Sequence, residues 1–514
     1  MNGADSLVQT LLDGGVDVCF TNPGTSEMHF VAALDRHHDM RCVLGLQENV
    51  VTGAADGYAR MLDKPASTLL HTGPGLANGF ANLHNAKRAF QPIVNIVGDH
   101  ATYHVQYDSP LTSDIEAIAA PVSGWVRTSK SSGEVASDAA EAIQFANTAQ
   151  GNISTLILPA NTAWGEANGP AVTLAPPTPK QPDGERIRSV AEIIRCGEPV
   201  LVLVGNRALR VDGLELLDKI AASNSVDLLA QMSNARIERG AGRVAIDRVK
   251  YPVGQALEQL SKYRHLVLVA AKEPVAFFAY PDKPSLLMPE GCNIHTLVER
   301  EEDVIGALDA LVAELGVGNH KINASKLLLP PMPTGSLDPD KISLVLANMI
   351  PENAIICDEA ITTGRRFFAD TYNSNPHSWI QITGGAIGAG LPLATGAAIA
   401  CPNRPLIALQ ADGSGMYTLQ ALWTQAREGL NTTILIFSNR SYRILLDEMA
   451  GVGVKNPGPK ALDMFELDRP ALDWVALAKG MGVDGGVASD AAELIKQMQR
   501  GLACEGPYLI EVIL

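Results

Sequence analysis

The sequence has little that would take it across a membrane or onto nucleic acid. No apolar run approaches the roughly 18 residues that a spanning helix needs, and no signal peptide opens the chain, so no membrane association and a cytoplasmic location are expected. With 40 Lys and Arg against 56 Asp and Glu, the formal charge is −16 and no basic stripe is present, which argues against a nucleic-acid partner. That balance leaves anionic small molecules open, because local arginines and helix N-termini override net charge. The seven cysteines include no Cys-x-x-Cys pair and sit mostly in apolar contexts. Free core thiols are therefore expected rather than disulfides or a cysteine metal site. No Gly-x-Gly-x-x-Gly follows a strand with a ribose-binding acid in place, which argues against a dinucleotide-binding dehydrogenase.

What is present suits a large enzyme. At 514 residues and 46% hydrophobic content the chain exceeds one ordinary core, and about three domains are expected. Two proline-rich breaks divide it. The segment 165–185 holds Pro170, Pro176, Pro177, Pro179 and Pro182, and the segment 323–340 holds Pro330, Pro331, Pro333 and Pro339. Neither shows a helix or strand period, so both read as linkers. The flanking parts alternate apolar runs with amphipathic stretches. This predicts three α/β domains with mainly parallel sheets, at 1–165, 186–322 and 339–514.

Two polar clusters stand out. The apolar run 405–410 leads into Ala411-Asp412-Gly413-Ser414, a helix-like stretch spans 418–429, and a second apolar run, 432–437, ends at Ser438-Asn439-Arg440-Ser441. Strand, turn, helix and strand in that order place Asp412 and Asn439 at one edge of a parallel sheet. A carboxylate, an amide and turn carbonyls together make an all-oxygen site suited to Mg²⁺ or Ca²⁺, ions that commonly accompany phosphate. Near the other end, Gln47-Glu48-Asn49 opens a helical stretch of small residues ending Gly57-Tyr58-Ala59-Arg60. An acid flanked by apolar residues in this way is either a helix cap or a buried functional carboxyl.

Together these features resemble the thiamine diphosphate (ThDP)-dependent enzymes, in which Gly-Asp-Gly is followed some thirty residues on by Asn-Asn and a glutamate precedes a Gly/Ala-rich helix. Two positions depart from that signature: Ala411 replaces its first Gly and Ser438 its first Asn. The resemblance extends through Thr72-Gly73-Pro74-Gly75, expected as a turn, through 383–392, and through the strand and turn 16–27. It implies Asp412, Asn439 and the Ser441 carbonyl as metal ligands. It implies Gly385, Ile387, Thr363, Gly413, Ser414 and Tyr442 as further cofactor contacts, with Ile387 propping the thiazolium and the Gly385 carbonyl accepting from the 4′-amine. Glu48 would hydrogen-bond N1′ of the aminopyrimidine, and its burial would aid proton sharing there. The cofactor would lie between domains of two subunits, making a homodimer or homotetramer the working unit. The Gly205-Asn206-Arg207 turn is too weak a signal to carry a flavin, so FAD is not expected.

Within the family the chain resembles benzoylformate decarboxylase, with acetolactate synthase close behind. The resemblance implies that His71 relays protons and that Thr25 contacts the substrate carboxylate. A second active-site histidine has no counterpart in Phe277-Phe278-Ala279-Tyr280. The expected activity is non-oxidative decarboxylation of a 2-oxo acid. The alternatives are an acetolactate synthase-like transferase using an aldehyde or second oxo acid as acceptor, and an inactive or regulatory ThDP-binding subunit.

Overall fold

Short runs rich in Val, Ile and Leu alternate with helices along the chain, and that order gives parallel pairing with helical crossovers. The structure, a computed structural model, describes residues 1–223 and 226–514. The first sheet contains β1 (Val18–Thr21), β2 (Arg41–Leu44), β3 (Ala66–His71), β4 (Ile93–Asp99), β5 (Trp125–Thr128) and β6 (Ile153–Pro159), in the order β2-β1-β3-β4-β6-β5. Next in the chain come β7 (Val200–Val204), β8 (Val226–Ala230), β9 (Ile237–Arg239), β10 (Asp247–Arg248), β11 (His265–Val269) and β12 (Asn293–Val298). All of these except β9 form the second sheet, ordered β10-β8-β7-β11-β12. The third sheet takes β13 (Ala354–Glu359), β14 (His377–Gln381), β15 (Leu406–Ala411), β16 (Thr432–Ser438), β17 (Asp484–Ala488) and β18 (Tyr508–Ile513), ordered β17-β18-β16-β15-β13-β14-β9. Every pairing is parallel except β14 with β9. Residues 237–239, inside the range expected for the middle domain, thus edge the third sheet instead. No helix among the described residues is long and apolar enough to cross a membrane.

Each sheet has a point where neighbouring strands lead off in opposite directions: between β1 and β3, between β7 and β11, and between β13 and β15. Crevices open outside the C-terminal ends of strands at such points. The first and third are brought together by two helices. In the helix Glu48–Leu62 every residue from Asn49 to Met61 is buried, because the helix lies between the first sheet and the helix Gly390–Ala400. Backbone meets backbone there: a Cβ on Gly396 would stand 1.8 Å from the Ala54 carbonyl oxygen, and one on Gly57 2.2 Å from that of Leu393. Arg60, fully buried, pairs with Asp56 at 2.7 Å and donates to the Gln381 carbonyl at 2.6 Å, fastening the helix to the end of β14. Removing one partner of such a buried pair costs about 3–5 kcal/mol.

Three local expectations need correction. Thr72–Asn78 is a helix, not a turn; Thr72 takes φ +49° and the glycines and Pro74 follow in its first turn. The helix read across 418–429 covers only Ala421–Arg427. All seven cysteines are free, but only Cys19 and Cys357 are buried, while Cys42 and Cys196 are exposed.

His377 opens β14 and is 2% exposed, its Nδ1–H donating to the Asn375 carbonyl at 2.7 Å. Burial, aided by the nearby Arg239 guanidinium, pushes its pKa down to about 3 from 6.5. The unfolded chain therefore binds a proton that the folded chain refuses. The associated stability is present above about pH 6.5 and is lost as pH falls toward 3. In urea denaturation series over that range, His377→Gln is expected to lose stability less steeply than the parent chain. Equal slopes would remove His377 as the cause.

Candidate active site

The loop after β1 and the end of β3 meet at the first crevice. His71 closes β3, opposite Gly98 of β4. Its Nδ1 lies 3.0 Å from both carboxylate oxygens of Glu27, which is 3% exposed, and 3.2 Å from the Ser26 hydroxyl. Glu27 also accepts from the Gly24 N–H at 2.7 Å and from the Ser26 hydroxyl. Two glycines make the room. A Cβ on Gly24 would stand 2.1 Å from the His71 ring, and one on Gly98 1.9 Å from Glu27 Oε1. With Glu27 ionised, Nδ1–H donates to it and Nε2 is left as the free nitrogen. Glu48 stands close by: a Cβ on Gly75 would lie 3.3 Å from His71 Cβ and 3.4 Å from Glu48 Oε1.

The glutamate is set by its helix. Gln47 caps the N-terminus through Asn49 N–H and Val50 N–H, so Glu48 is released from capping, and among the described residues its carboxylate accepts only from Asn78 Nδ2, at 3.1 Å. Glu48 is half-buried in the single chain, short of the burial expected of it. Thr25 is exposed, and Ser26 rather than Thr25 reaches the imidazole.

At the third crevice Asp412 follows β15 and is 2% exposed. Its Oδ1 accepts from Gly413 N–H at 2.8 Å and its Oδ2 from Arg440 N–H at 2.7 Å, which ties the turn after β15 to the turn after β16. Arg440 takes φ +54°, and Asn439 Oδ1 accepts from Ser441 N–H at 3.0 Å. Tyr442 lies over Gly413, where a Cβ would be 2.4 Å from its Cε1. Ser414 is joined to Gln410, and Thr363 is buried in the turn after β13. Among the described residues no Lys or Arg pairs with Asp412, and burial pushes its carboxyl above the ordinary range. A buried carboxylate without a cationic side chain, beside an amide and turn carbonyls, fits a divalent hard cation.

The segment 383–390 runs between the two crevices and is held from both sides. Asn85 Oδ1 accepts from Gly384 N–H and Ala386 N–H at 3.1 and 3.2 Å, and its Nδ2 donates to the Ala386 carbonyl at 2.8 Å. Glu359, 1% exposed at the end of β13, accepts from Gly388, Ala389 and Gly390 N–H at 2.8, 3.2 and 2.7 Å and from Gln410 Nε2 at 3.0 Å. Gly385 and Gly388 take φ +75° and +96°, which glycine alone adopts cheaply, and Ile387 sits half-buried between them. Phe277 packs against Gly385 and lines a cleft of about 650 Å³ that runs from Asn206 and Gln231, past the ends of β7 and β8, to Thr383 and Gly384.

Glu27, Glu359 and Asn85 were not singled out from sequence. Glu359 ends an apolar run, a signal close to the one that marked Glu48, whereas Glu27 follows turn residues that give no such signal. Within the chain Glu48 and His71 come together, as do Asp412, Asn439 and Tyr442. Among the described residues no hydrogen bond or ion pair joins the first group to the second.

The model of the thiamine pyrophosphate enzyme N-terminal TPP-binding domain matches residues 1–119, and that of the C-terminal TPP-binding domain matches residues 363–512. The chain is 46% identical to a Mycobacterium tuberculosis (strain H37Rv) protein bearing the name "Putative acetolactate synthase large subunit IlvX", over 100% of this chain and 99% of the other. It is 28% identical to benzoylformate decarboxylase of Pseudomonas aeruginosa, over 97% and 96% of the two chains. The solved structure of a Rhodococcus jostii thiamine diphosphate-dependent 4-hydroxybenzoylformate decarboxylase superposes with a TM-score of 0.84 at 23% identity, covering 100% of this chain and 99% of that one.

Glu359 offers a test of the support beneath the central segment. Glu359→Gln would turn an amide NH₂ toward backbone N–H groups that now donate to a carboxylate. Unmet donors of this kind cost about 1–3 kcal/mol each. The variant is expected to unfold at lower denaturant and to bind ThDP more weakly; calorimetric titration giving parental affinity would show that Glu359 does not shape the segment.

Proposed function

Since the chain belongs to the thiamine pyrophosphate enzyme family, we propose that it is a ThDP- and Mg²⁺-dependent enzyme that decarboxylates a 2-oxo acid without oxidation and releases an aldehyde. When bound, the cofactor supplies a carbon nucleophile and an electron sink, chemistry that no side chain offers. Asp412, Asn439 and the Ser441 carbonyl hold the metal against the diphosphate, with Thr363, Gly413, Ser414 and Tyr442 around it. Gly385 and Ile387 receive the rings. Glu48 holds a proton at N1′ of the aminopyrimidine. Thr25 and the neighbouring Ser26 offer hydroxyls to the substrate carboxylate. His71 takes a proton from solvent at Nε2 and passes it on, its Nδ1–H kept on Glu27.

One observation carries the choice of decarboxylation: the buried Glu27, held by loop backbone, beside His71, with two glycines making room for the pair. Release of an aldehyde requires a proton donor at the reacting carbon, whereas ligation requires a second carbonyl there instead. The second reading, an acetolactate synthase-type transfer to an aldehyde or second oxo acid, is favoured by the name of the relative at 46% identity. A regulatory subunit without turnover would have no use for Glu48. The half-exposed Glu48, with Pro74, Ala77 and Asn78 exposed beside it, supports a homodimer or homotetramer in which a second chain covers this edge. The ranges 1–165, 186–322 and 339–514 serve as the three domains, and the cytoplasm as the location.

Incubation with a panel of 2-oxo acids, with and without an aldehyde acceptor and with products read by NMR, separates the readings. Free aldehyde is expected as the main product. Exclusive ligation would replace the proposal by the transferase reading, and no turnover on any acid would sink both. His71→Ala should slow aldehyde release by about 10²–10⁴-fold while ThDP affinity holds; equal losses in both would make His71 structural. Glu48→Gln should bind ThDP and turn over poorly. Asp412→Ala, like chelation of the parent enzyme, should lose bound ThDP on gel filtration, and a variant that keeps it would remove Asp412 from the metal site.

A further inference from the structure

The turn that feeds the second sheet carries a side-chain cluster with no part in the chemistry above. The helix Gly184–Arg195 ends at Cys196, and Gly197, at φ +84°, turns the chain into Glu198-Pro199 and β7. His265 opens β11 beside it, paired in register with Val200. The thiol of Cys196, the carboxylate of Glu198 and the imidazole of His265 place their ligand atoms all within 4.8 Å of one another. His265 is 6% exposed, whereas Cys196 and Glu198 are at the surface. Its Nε2 lies 2.9 Å from Glu198 Oε2, and its Nδ1 lies 3.1 Å from Nε2 of His295, which stands on the same face of the neighbouring β12.

We propose that Cys196 Sγ, Glu198 Oε2 and His265 Nε2 bind Zn²⁺, with His295 fixing the tautomer of His265. A thiolate, an imidazole and a carboxylate suit a borderline-soft ion that accepts four tetrahedral ligands, the fourth here being water. Mg²⁺ and Ca²⁺, which prefer oxygen alone, would pass this site over. The two surface side chains swing freely enough to close on an ion held by the fixed imidazole. Protons balance without an outside base beyond water. Before binding, His265 Nε2–H donates to Glu198 and Nδ1 accepts from His295 Nε2–H. On binding, Nε2 takes the metal, the shared proton moves to His265 Nδ1 and donates back to His295, and the displaced Nε2 proton ends on His295 Nδ1. The thiol proton goes to solvent. A metal-bound imidazole whose other N–H is held in this way is the usual arrangement at zinc centres.

The site lies at the N-terminal edge of the second sheet, away from the strand ends that carry the crevices. Its effect is therefore a brace joining the helix-to-β7 turn to β11, independent of turnover. The full chain, saturated with ThDP and Mg²⁺, is titrated with Zn²⁺ against a chromophoric chelator, and separately with Co²⁺ to read thiolate charge-transfer absorption. One Zn²⁺ per chain and a thiolate–Co²⁺ band are expected, together with a Zn²⁺-dependent rise in unfolding temperature. Cys196→Ser should abolish all three and leave product formation from 2-oxo acids unchanged. His295→Phe should weaken Zn²⁺ by about 10–100-fold. Zn²⁺ binding unchanged in Cys196→Ser, no thiolate band in the native chain, or less than stoichiometric Zn²⁺ would each overturn the proposal. Because Cys196 is exposed, parental circular dichroism of the serine variant without metal is expected and separates loss of ligand from loss of fold.

Discussion

The backbone oxygen of Ala54 occupies the place where a side chain at position 396 would begin, and both crevices depend on that contact. Two helices can approach so closely only where small residues face each other, and Gly53, Gly57 and Gly396 supply the faces. The approach brings helix Phe80–Ala89 within reach of residues 383–388, where Asn82 and Asn85 meet the backbone of the other domain's loop. A loop with two glycines at positive φ is entropically expensive to order. Here the N–H groups of Gly384, Ala386 and Gly388 and the carbonyls of Ala386 and Gly388 are matched to fixed amides and to the Glu359 carboxylate. The rigidity of the central segment is thus borrowed from its neighbours.

Buried acids do different work at the two crevices, and their surroundings decide which. Glu359 is surrounded by four donors and has no capacity left for a ligand, so it is a scaffold. Asp412 meets two backbone donors and no cationic side chain, so lone pairs remain for an ion. Glu27 faces an imidazole and can only hold or orient a proton. Glu48 has one amide partner and an open side. Three of these four acids stand where a sheet reverses direction, which is where helix crossovers part and leave strand ends uncovered.

The sequence showed the alternation of apolar runs and helices, hence the sheets, because both faces of these strands are buried and their runs are unbroken. It showed Asp412 and Asn439 because a strand and a helix of fixed length bring them to one edge. It did not show Asn85 or Glu359 as supports, since the loop groups they hold lie at least 299 and 29 residues away and are backbone groups, which leave no mark in side-chain chemistry. Thr72–Asn78 was misread because Gly and Pro signal turns locally, yet Pro74 lies in the first turn of this helix, where a missing N–H costs nothing. The three residues of β9 are too few to carry a period, and their antiparallel pairing with β14 joins segments that a linker reading separates.

The two turns that meet at Asp412 are held unequally, and the difference bears on how a cofactor enters. The turn after β15 runs into the short helix Asp412–Gly415, all of it buried. The turn after β16 runs into helix Arg443–Gly451, which buries none of its residues. That helix is held instead by polar ties: Glu448 accepts from Tyr251 and Tyr280 hydroxyls at 3.0 and 2.8 Å, and Asp447 pairs with Arg365 at 2.7 Å. A surface ion pair is worth about 1 kcal/mol or less and a hydrogen bond to a carboxylate about 1.5–3 kcal/mol, still below what a helix gains by burying an apolar face. A ligand that adds two or three oxygen contacts between Asp412, Asn439 and Ser441 therefore alters the balance on the β16 side far more than on the β15 side. The stable turn presents the charged ligand, and the weakly held one is free to adjust its amide and carbonyl to the ion.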